Sequence, residues 1–384
     1  MKKSRIWATV LFIVVFIGGI SVYYFSKPSL ETMVGQMIMT GFHGDGTGTN
    51  QEEFDAVQEQ IIRGQIGGVI LFDVDVSGLL ATGMDIQEAK KQIFSSNIKS
   101  TLQVKKLTNQ LQSIAPKKLL IAVDQEGGNI QRLKTEHGFA SIPSAKELGT
   151  GDAKATYQIA YNLGKRLGNL GINVDFAPLL DVDVNPESPA IGAKERSFSA
   201  DPEIVTKHGA AFARGLSKAK IAYSFKHFPG HGSAGTDTHA GLTDITNTYQ
   251  DYELKPWQDL LKNSSPQTMV MVAHVVNNNF DTLPASLSYK TIQMVRDMGF
   301  KGVIVSDDMD MGAIANEYGT EKAIQMAINA GNDILVFGNN LTFDKNRGRD
   351  VNAIIVKLVK EGKIKKSRIR ESYQRIIKLK RHVR

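Results

Sequence analysis

The sequence predicts an α/β chain folded as a (β/α)8 barrel of the TIM type, and three observations carry that expectation. Short apolar, β-branched-rich runs recur eight times with amphipathic stretches between them, the pattern of βα units on a parallel sheet. No G-x-G-x-x-G turn follows the first runs, whereas a doubly wound nucleotide-binding sheet carries one near its start. Six of the eight runs end on a charged or imidazole side chain: Asp73, Asp124, Asp175, Lys226 with His227, His274 and Asp307. A polar residue after one strand is an ordinary turn former. A barrel, however, gathers all eight C-terminal ends on one face, where barrel enzymes keep their chemistry.

In chain order the predicted strands are MIMT at 37–40, VILF at 69–72, LLIAV at 119–123, VDFA at 174–177, AYSF at 222–225, MVMVA at 269–273, VIVS at 303–306 and ILVF at 334–337. Helical patterns fall at 155–170, 202–218, 290–298 and 321–330, with a final helix at 369–380. The Gly-rich segments 41–50 and 74–84 read as loops that rim the mouth. No repeat, low-complexity tract or Pro/Ser-rich linker interrupts 29–384, so that stretch reads as one domain.

Residues 1–28 read as a separate element. Lys2, Lys3 and Arg5 precede an uncharged apolar run over 6–25, and about 20 residues of helix span a ~30 Å hydrocarbon core. The run ends in Tyr23, Tyr24 and Phe25, side chains suited to a membrane interface. The expectation is a single-pass signal anchor in the cell membrane with the body on the extracytoplasmic side; a cleaved signal peptide is the alternative and leaves the body secreted. The chain has no cysteine, so a lipoprotein anchor is excluded and no disulfide holds the exported body.

The formal net charge is +7. Twelve basic and two acidic residues over 357–384 give that tail +10, so the other residues sum to −3. The basic balance therefore belongs to the tail and does not mark a nucleic-acid-binding face. Ile369, Tyr373, Ile376 and Ile377 fall at helical spacing there, which predicts a helix packed on the barrel with a solvated cationic side.

Three segments carry chemistry. In KHFPGHGSAGTDTH at 226–239, Lys226 and His227 are placed where the fifth strand opens, and Pro229, Gly230 and Gly232 turn the chain. Asp237 and His239 bracket one residue, so in extended backbone both point to one side and the carboxylate can orient the imidazole as a general acid/base. In VIVSDDMDM, Asp307 follows a strand and is held rigidly at the mouth, as a nucleophile must be; Asp308 and Asp310 read as caps of the next helix. In VDQEGGNIQR, Asp124 ends a strand and Arg132 can return to the cleft, a donor and acceptor set for a polyhydroxylated ligand. The rival reading of His227, His231, Asp237 and His239 is a zinc site; the spacing fits no H-E-x-x-H helix and Lys226 would repel a cation, so neither metal nor organic cofactor is expected. His231 reads as a loop-packing residue, Asp175 and Asp181 as structural hydrogen-bonders, and His274 as either cleft-lining or buried.

These segments, with NVDFAPLLDVDVNP, the RSF of IGAKERSF, MVAHVV and PASLS, resemble in order the catalytic domain of glycoside hydrolase family three, most closely its β-N-acetylglucosaminidase (β-hexosaminidase) branch. The resemblance implies a retaining exo-β-N-acetylglucosaminidase with Asp307 as nucleophile, His239 as acid/base and Asp237 as its support. It also implies sugar binding by Asp124, Arg132, Arg196, Lys226 and His227. GlcNAc-containing saccharides from peptidoglycan or muropeptides are the implied substrates, and the protein is expected to be a monomer with no nucleic-acid partner. Asn129, Thr238 and the two extra residues before the RSF depart from the family pattern. Open alternatives are another exo-β-glycosidase of the family, a β-N-acetylglucosaminide phosphorylase, and a catalytically silent wall-binding protein.

Overall fold

The computed structural model describes residues 28–77, 96–238 and 241–384. Eight strands form a closed, all-parallel barrel: β1 (Ile38–Thr40), β2 (Gly68–Ile70), β3 (Leu120–Val123), β4 (Val174–Asp175), β5 (Ala222–Phe228), β6 (Thr268–Val272), β7 (Val303–Asp308) and β8 (Ile334–Phe337). Each pairs with its chain neighbours, and β8 closes on β1 with Ile38 opposite Leu335 and Thr40 opposite Phe337. Every strand is buried along its whole length except β7, whose Asp307 and Asp308 are half-buried at the mouth, as expected for strands covered on both faces.

The helices are α1 (Leu30–Gly35), α2 (Gln51–Ile62), α3 (Thr101–Ile114), α4 (Ala145–Gly149), α5 (Ala153–Asn169), α6 (Pro202–Lys218), α7 (Lys255–Leu261), α8 (Tyr289–Asp297), α9 (Gly312–Tyr318), α10 (Thr320–Ala330), α11 (Arg347–Lys360) and α12 (Lys366–Lys380). Helix α6 shows how local sequence sets them. The Asp201 side chain caps it by accepting from the Glu203 N–H, and Pro202 fills the first turn, where no amide partner is needed. Val205, His208, Phe212 and Leu216 then bury one stripe. Val205, Phe212 and Leu216 each contribute about 1.5–3 kcal/mol by that burial, while His208 is satisfied by the Thr156 hydroxyl at 2.8 Å.

All eight predicted strands exist, but two run further than their apolar letters suggested. Strand β5 continues through Lys226 and His227 to Phe228 instead of opening at 225, because backbone pairing persists to β6, with the Ala273 N–H donating to the Phe228 carbonyl at 2.9 Å. Strand β7 likewise includes Asp307 and Asp308. The 1–28 anchor lies outside the described residues apart from its last one; among the described residues no helix is long and apolar enough to cross a membrane.

The end of the barrel opposite the mouth has a floor. Helix α12 crosses the N-terminal ends of the strands. Arg368 donates to the carbonyls of Gly331 and Asn332 before β8, and the buried Lys380 ammonium donates to Gln36 Oε1 at 2.6 Å and the Gly67 carbonyl at 2.8 Å, before β1 and β2. The chain then passes under β5 and β3, with the Arg384 N–H on the Lys220 carbonyl and Lys118 Nζ on the Val383 carbonyl. Asp333, fully buried, locks this floor by accepting from Arg296, Arg368 and Arg375 at 3.0, 2.8 and 3.1 Å. Burial alone would raise its pKa, but the three guanidiniums outweigh that and hold it below the ordinary carboxylate range.

Candidate active site

A cavity of about 250 Å³ opens at the C-terminal ends of the strands. Its blind end is formed by Ile70, Phe176, Met271 and Val336, and its walls carry Asp124, Arg132, Arg196, Lys226, His227, Asp237 and Asp307. Seven of the eight site residues anticipated from sequence thus share one cavity. The eighth, His239, lies outside the described residues.

The polar wall is an ion-paired network. Lys226, only 2 % exposed at its side chain, reaches Asp124 Oδ1 at 3.0 Å and Glu126 Oε1 at 2.6 Å. Glu126 in turn holds Arg196 with two parallel bonds, Oε2 to Nε at 2.8 Å and Oε1 to Nη2 at 2.7 Å, the planar fork that fixes a guanidinium. Arg132 lies 3.5 Å from Asp124 and 3.7 Å from Asp73, and Lys134 closes on Asp73 at 2.6 Å. The Arg132 Nε, though buried, has no partner among the described residues, which leaves it a donor for a ligand.

These pairs set the protonation states. For Glu126 and Asp124, burial pushes the pKa up, yet the cations beside them, Arg196 with Lys226 and Lys226 with Arg132, outweigh it and hold both carboxyls low and ionised. Burial lowers the pKa of Lys226, and Asp124 and Glu126 more than reverse that, so the ammonium stays charged. Asp175 differs: burial drives its carboxyl well above the ordinary value, and its Oδ2 has no partner among the described residues.

His227 is fixed by Asp181, whose Oδ2 lies 2.7 Å from Nδ1. Asp181 also accepts from the backbone N–H of His227 and of His231, so one carboxylate holds both ends of the HFPGH segment. This leaves His227 Nε2 toward the cavity, 3.5 Å from Arg196 Nη2. His231 is more than a packing residue: it lines the cavity, stands edge-on to His227 with ring centroids 5.7 Å apart, and lies 3.4 Å from the Thr238 hydroxyl through Nε2. Burial lowers its pKa to about 4, so it is neutral.

Asp307 enters the cavity from β7, with Oδ1 accepting the Asp308 N–H at 2.8 Å. Asp308 is no helix cap. Helix α9 begins at Gly312 with no side-chain cap, while Asp308 Oδ1 accepts from the Gly338 and Asp310 N–H groups at 2.7 and 3.0 Å and ties β7 to the end of β8. Asp310 likewise accepts from the Asn339 N–H at 3.0 Å. His274 is fully buried between the Ser286 hydroxyl at 2.7 Å and the Asp308 carbonyl at 3.0 Å, which settles it as a support behind the wall. Asp237 sits on the loop across the mouth with Oδ2 3.2 Å from Lys194 Nζ.

Glu126 and Lys194, which also line the cavity, were not anticipated as site residues. Glu126 had a signal: it stands two residues after Asp124, so in extended backbone both point to one side. Lys194 had none, since only the fold of the 192–194 turn brings it opposite Asp237. Among the described residues no group of three or more His, Cys, Asp or Glu side chains is arranged to hold a metal ion.

Comparison with known proteins places this geometry. The chain is 34 % identical over 317 residues to beta-hexosaminidase A of Pseudoalteromonas piscicida, covering 75 % of this chain but 52 % of that protein; it thus spans about half the length of that relative. It is 35 % identical over 261 residues to a beta-hexosaminidase of Hydrogenovibrio crunogenus, covering 65 % of this chain and 71 % of the relative. Among solved structures, a glycoside hydrolase family 3 beta-N-acetylglucosaminidase from Paenibacillus sp. superposes with a TM-score of 0.79 at 31 % identity, over 93 % of this chain and 63 % of that one. The sequence model of the Glycosyl hydrolase family 3 N terminal domain matches residues 29–379, and the chain belongs to that family.

Proposed function

We propose that the protein is a retaining exo-β-N-acetylglucosaminidase that removes terminal β-linked GlcNAc from peptidoglycan fragments, anchored in the cell membrane by residues 6–25 with its body outside. The observation that carries this is the meeting of Asp307 and Asp237 in one blind cavity with the Asp124, Lys226, Glu126 and Arg196 network. A pocket that ends on apolar strand side chains accepts the end of a saccharide better than its middle. The ion-paired wall offers fixed donors and acceptors to sugar hydroxyls without reorganising. Similarity to beta-hexosaminidases of two bacteria supports the GlcNAc substrate.

In this reading the Asp307 carboxylate attacks the anomeric carbon while the His239 imidazolium, oriented by Asp237, gives its proton to the leaving oxygen. The glycosyl ester on Asp307 is then opened by a water whose proton returns to His239. A carboxylate that must be ionised and an imidazole that must cycle give a bell-shaped pH dependence. Lys194 beside Asp237 favours a second reading, a phosphorylase in which inorganic phosphate replaces the water.

The test is hydrolysis of a chromogenic β-GlcNAc substrate by wild type, Asp307→Ala and His239→Ala, with and without phosphate. Loss of turnover in both variants and a trapped glycosyl ester on Asp307 with a slow fluorinated substrate are expected. Equal turnover in all three proteins overturns the proposal, and a strict phosphate requirement replaces it by the phosphorylase.

A further inference from the structure

The barrel floor carries a charge pattern that the site does not use. Lys117, Lys220, Lys262, Lys301, Lys378 and Arg381 are all exposed there, before β3, β5, β6 and β7 or at the end of α12, and none makes an ion pair with a described residue. Between them runs a groove of about 460 Å³ lined by Lys262, Lys301, Arg375 and Lys378 with no acidic side chain. The acidic residues of α12 and the turn before it are already engaged, Glu371 by Arg368 and Arg375 and Glu361 by Lys363. The floor is therefore a predominantly cationic face lying opposite the cavity mouth, with exposed Asp297, four residues before Lys301, and Glu31 of α1 as its acidic side chains that make no ion pair with a described residue.

The chain enters the body on this same face. Helix α1 precedes β1, its Glu31 carbonyl accepts from Asn352 of α11, and Gln36 just after it is bonded to Lys380 of α12. From Phe25, the last aromatic of the apolar run, to Leu30 is five residues, at most about 17 Å of extended chain. That leash keeps the α1 side of the floor, where Gln36 meets Lys380 of α12, within roughly two Debye lengths of whatever surface holds the run.

We infer that the floor docks on an anionic phospholipid surface, with phosphate-bearing headgroups in the Lys262–Lys301–Lys378 groove, so that the barrel stands on the membrane with its saccharide cavity facing away from it. The inference rests on the anchor component of the proposed function. The short leash is what favours lipid over a free anionic wall polymer as the occupant, since only a bilayer is held in place at that distance.

Because the chain has no cysteine, single introduced thiols report docking cleanly. The full chain carrying Asn263→Cys on the floor, or Glu187→Cys at the mouth, is labelled and reconstituted into phosphatidylcholine vesicles, with or without phosphatidylglycerol, that contain a headgroup energy-transfer acceptor. Transfer from position 263 is expected to rise with phosphatidylglycerol and to fall with added salt, while transfer from 187 stays low. Adding Lys262→Gln, Lys301→Gln and Lys378→Gln together lowers the docked-to-free ratio on the order of 100-fold. Unchanged circular dichroism and β-GlcNAc hydrolysis in detergent show that this triple variant is folded. Insertion with equal transfer from both positions, or no dependence on anionic lipid, overturns the docking inference alone. A response at 263 to soluble poly(glycerol phosphate) but not to anionic vesicles also overturns it, and a full chain that associates with neither vesicle overturns the anchor as well.

Discussion

Glu126→Gln isolates what the ion-paired wall contributes. Glu126 is 4 % exposed at its side chain and meets two cations, Arg196 through a two-bond fork and Lys226 at 2.6 Å. The amide keeps the shape and one acceptor but removes the charge, leaving Asp124 as the carboxylate paired with Lys226 and Arg196 with no ion-paired carboxylate. Removing one partner of a buried pair costs about 3–5 kcal/mol, and the retained acceptor places this change near 3. For about 350 folded residues the unfolding entropy is roughly 0.7 kcal/mol per kelvin, so the melting temperature should fall by about 4 °C. Arg196 loses its fixed orientation at the same time, and kcat/KM for a β-GlcNAc substrate should fall at least 10-fold. Scanning calorimetry and steady-state kinetics on the same preparation measure both. A variant melting within a degree of wild type with unaltered kcat/KM refutes the view that Glu126 neutralises and aims the two cations.

Other outcomes follow from the same geometry. Asp333→Asn strands three arginines under the barrel and should cost about 3–5 kcal/mol by urea denaturation, with KM unchanged because the site is at the other end. His231 has its pKa lowered from 6.5 to about 4; the unfolded chain takes up a proton below 6.5 that the folded one refuses, so stability falls as pH drops from 6.5 to 4, and His231→Gln should flatten that part of the melting profile. Lys380, lowered by burial from 10.5 to about 7, has the same sign in a different window: stability rises with pH between 7 and 10.5, and Lys380→Met should abolish that rise. At Gly232 an added Cβ would overlap the Val182 carbonyl oxygen, so Gly232→Ala should displace the 231–238 loop and cut kcat far more than it lowers the melting temperature.

The barrel was legible because every strand is buried on both faces and therefore announces itself as an unbroken apolar run; β8 was read to the residue, and α6 as well. Strand ends were less legible where function intrudes. Lys226 and His227 look like the start of a loop because they are polar and precede Pro229, yet Phe228 still pairs with β6. The charges there are tolerated inside a strand because Glu126, Asp124 and Asp181 neutralise or anchor them, and those partners lie 46 to 102 residues away. Asp308 misled for a related reason: an Asp before a helix usually caps it, but this one accepts amides from the neighbouring strand's end. Seven residues that line the cavity could be singled out from their own segments, whereas Lys194 had no local signal and the pairing that sets charge states depends on contacts no local pattern encodes.

The floor has a consequence for how the chain comes to be folded. Lys380 bonds to Gln36 across 344 positions, and β1 finds its second neighbour only in β8. A ribosome that has delivered all eight strands but not the last helix has made a cylinder with an uncovered base, and Asp333 without two of its three guanidiniums. Completion is thus withheld until the final turn of the polypeptide emerges.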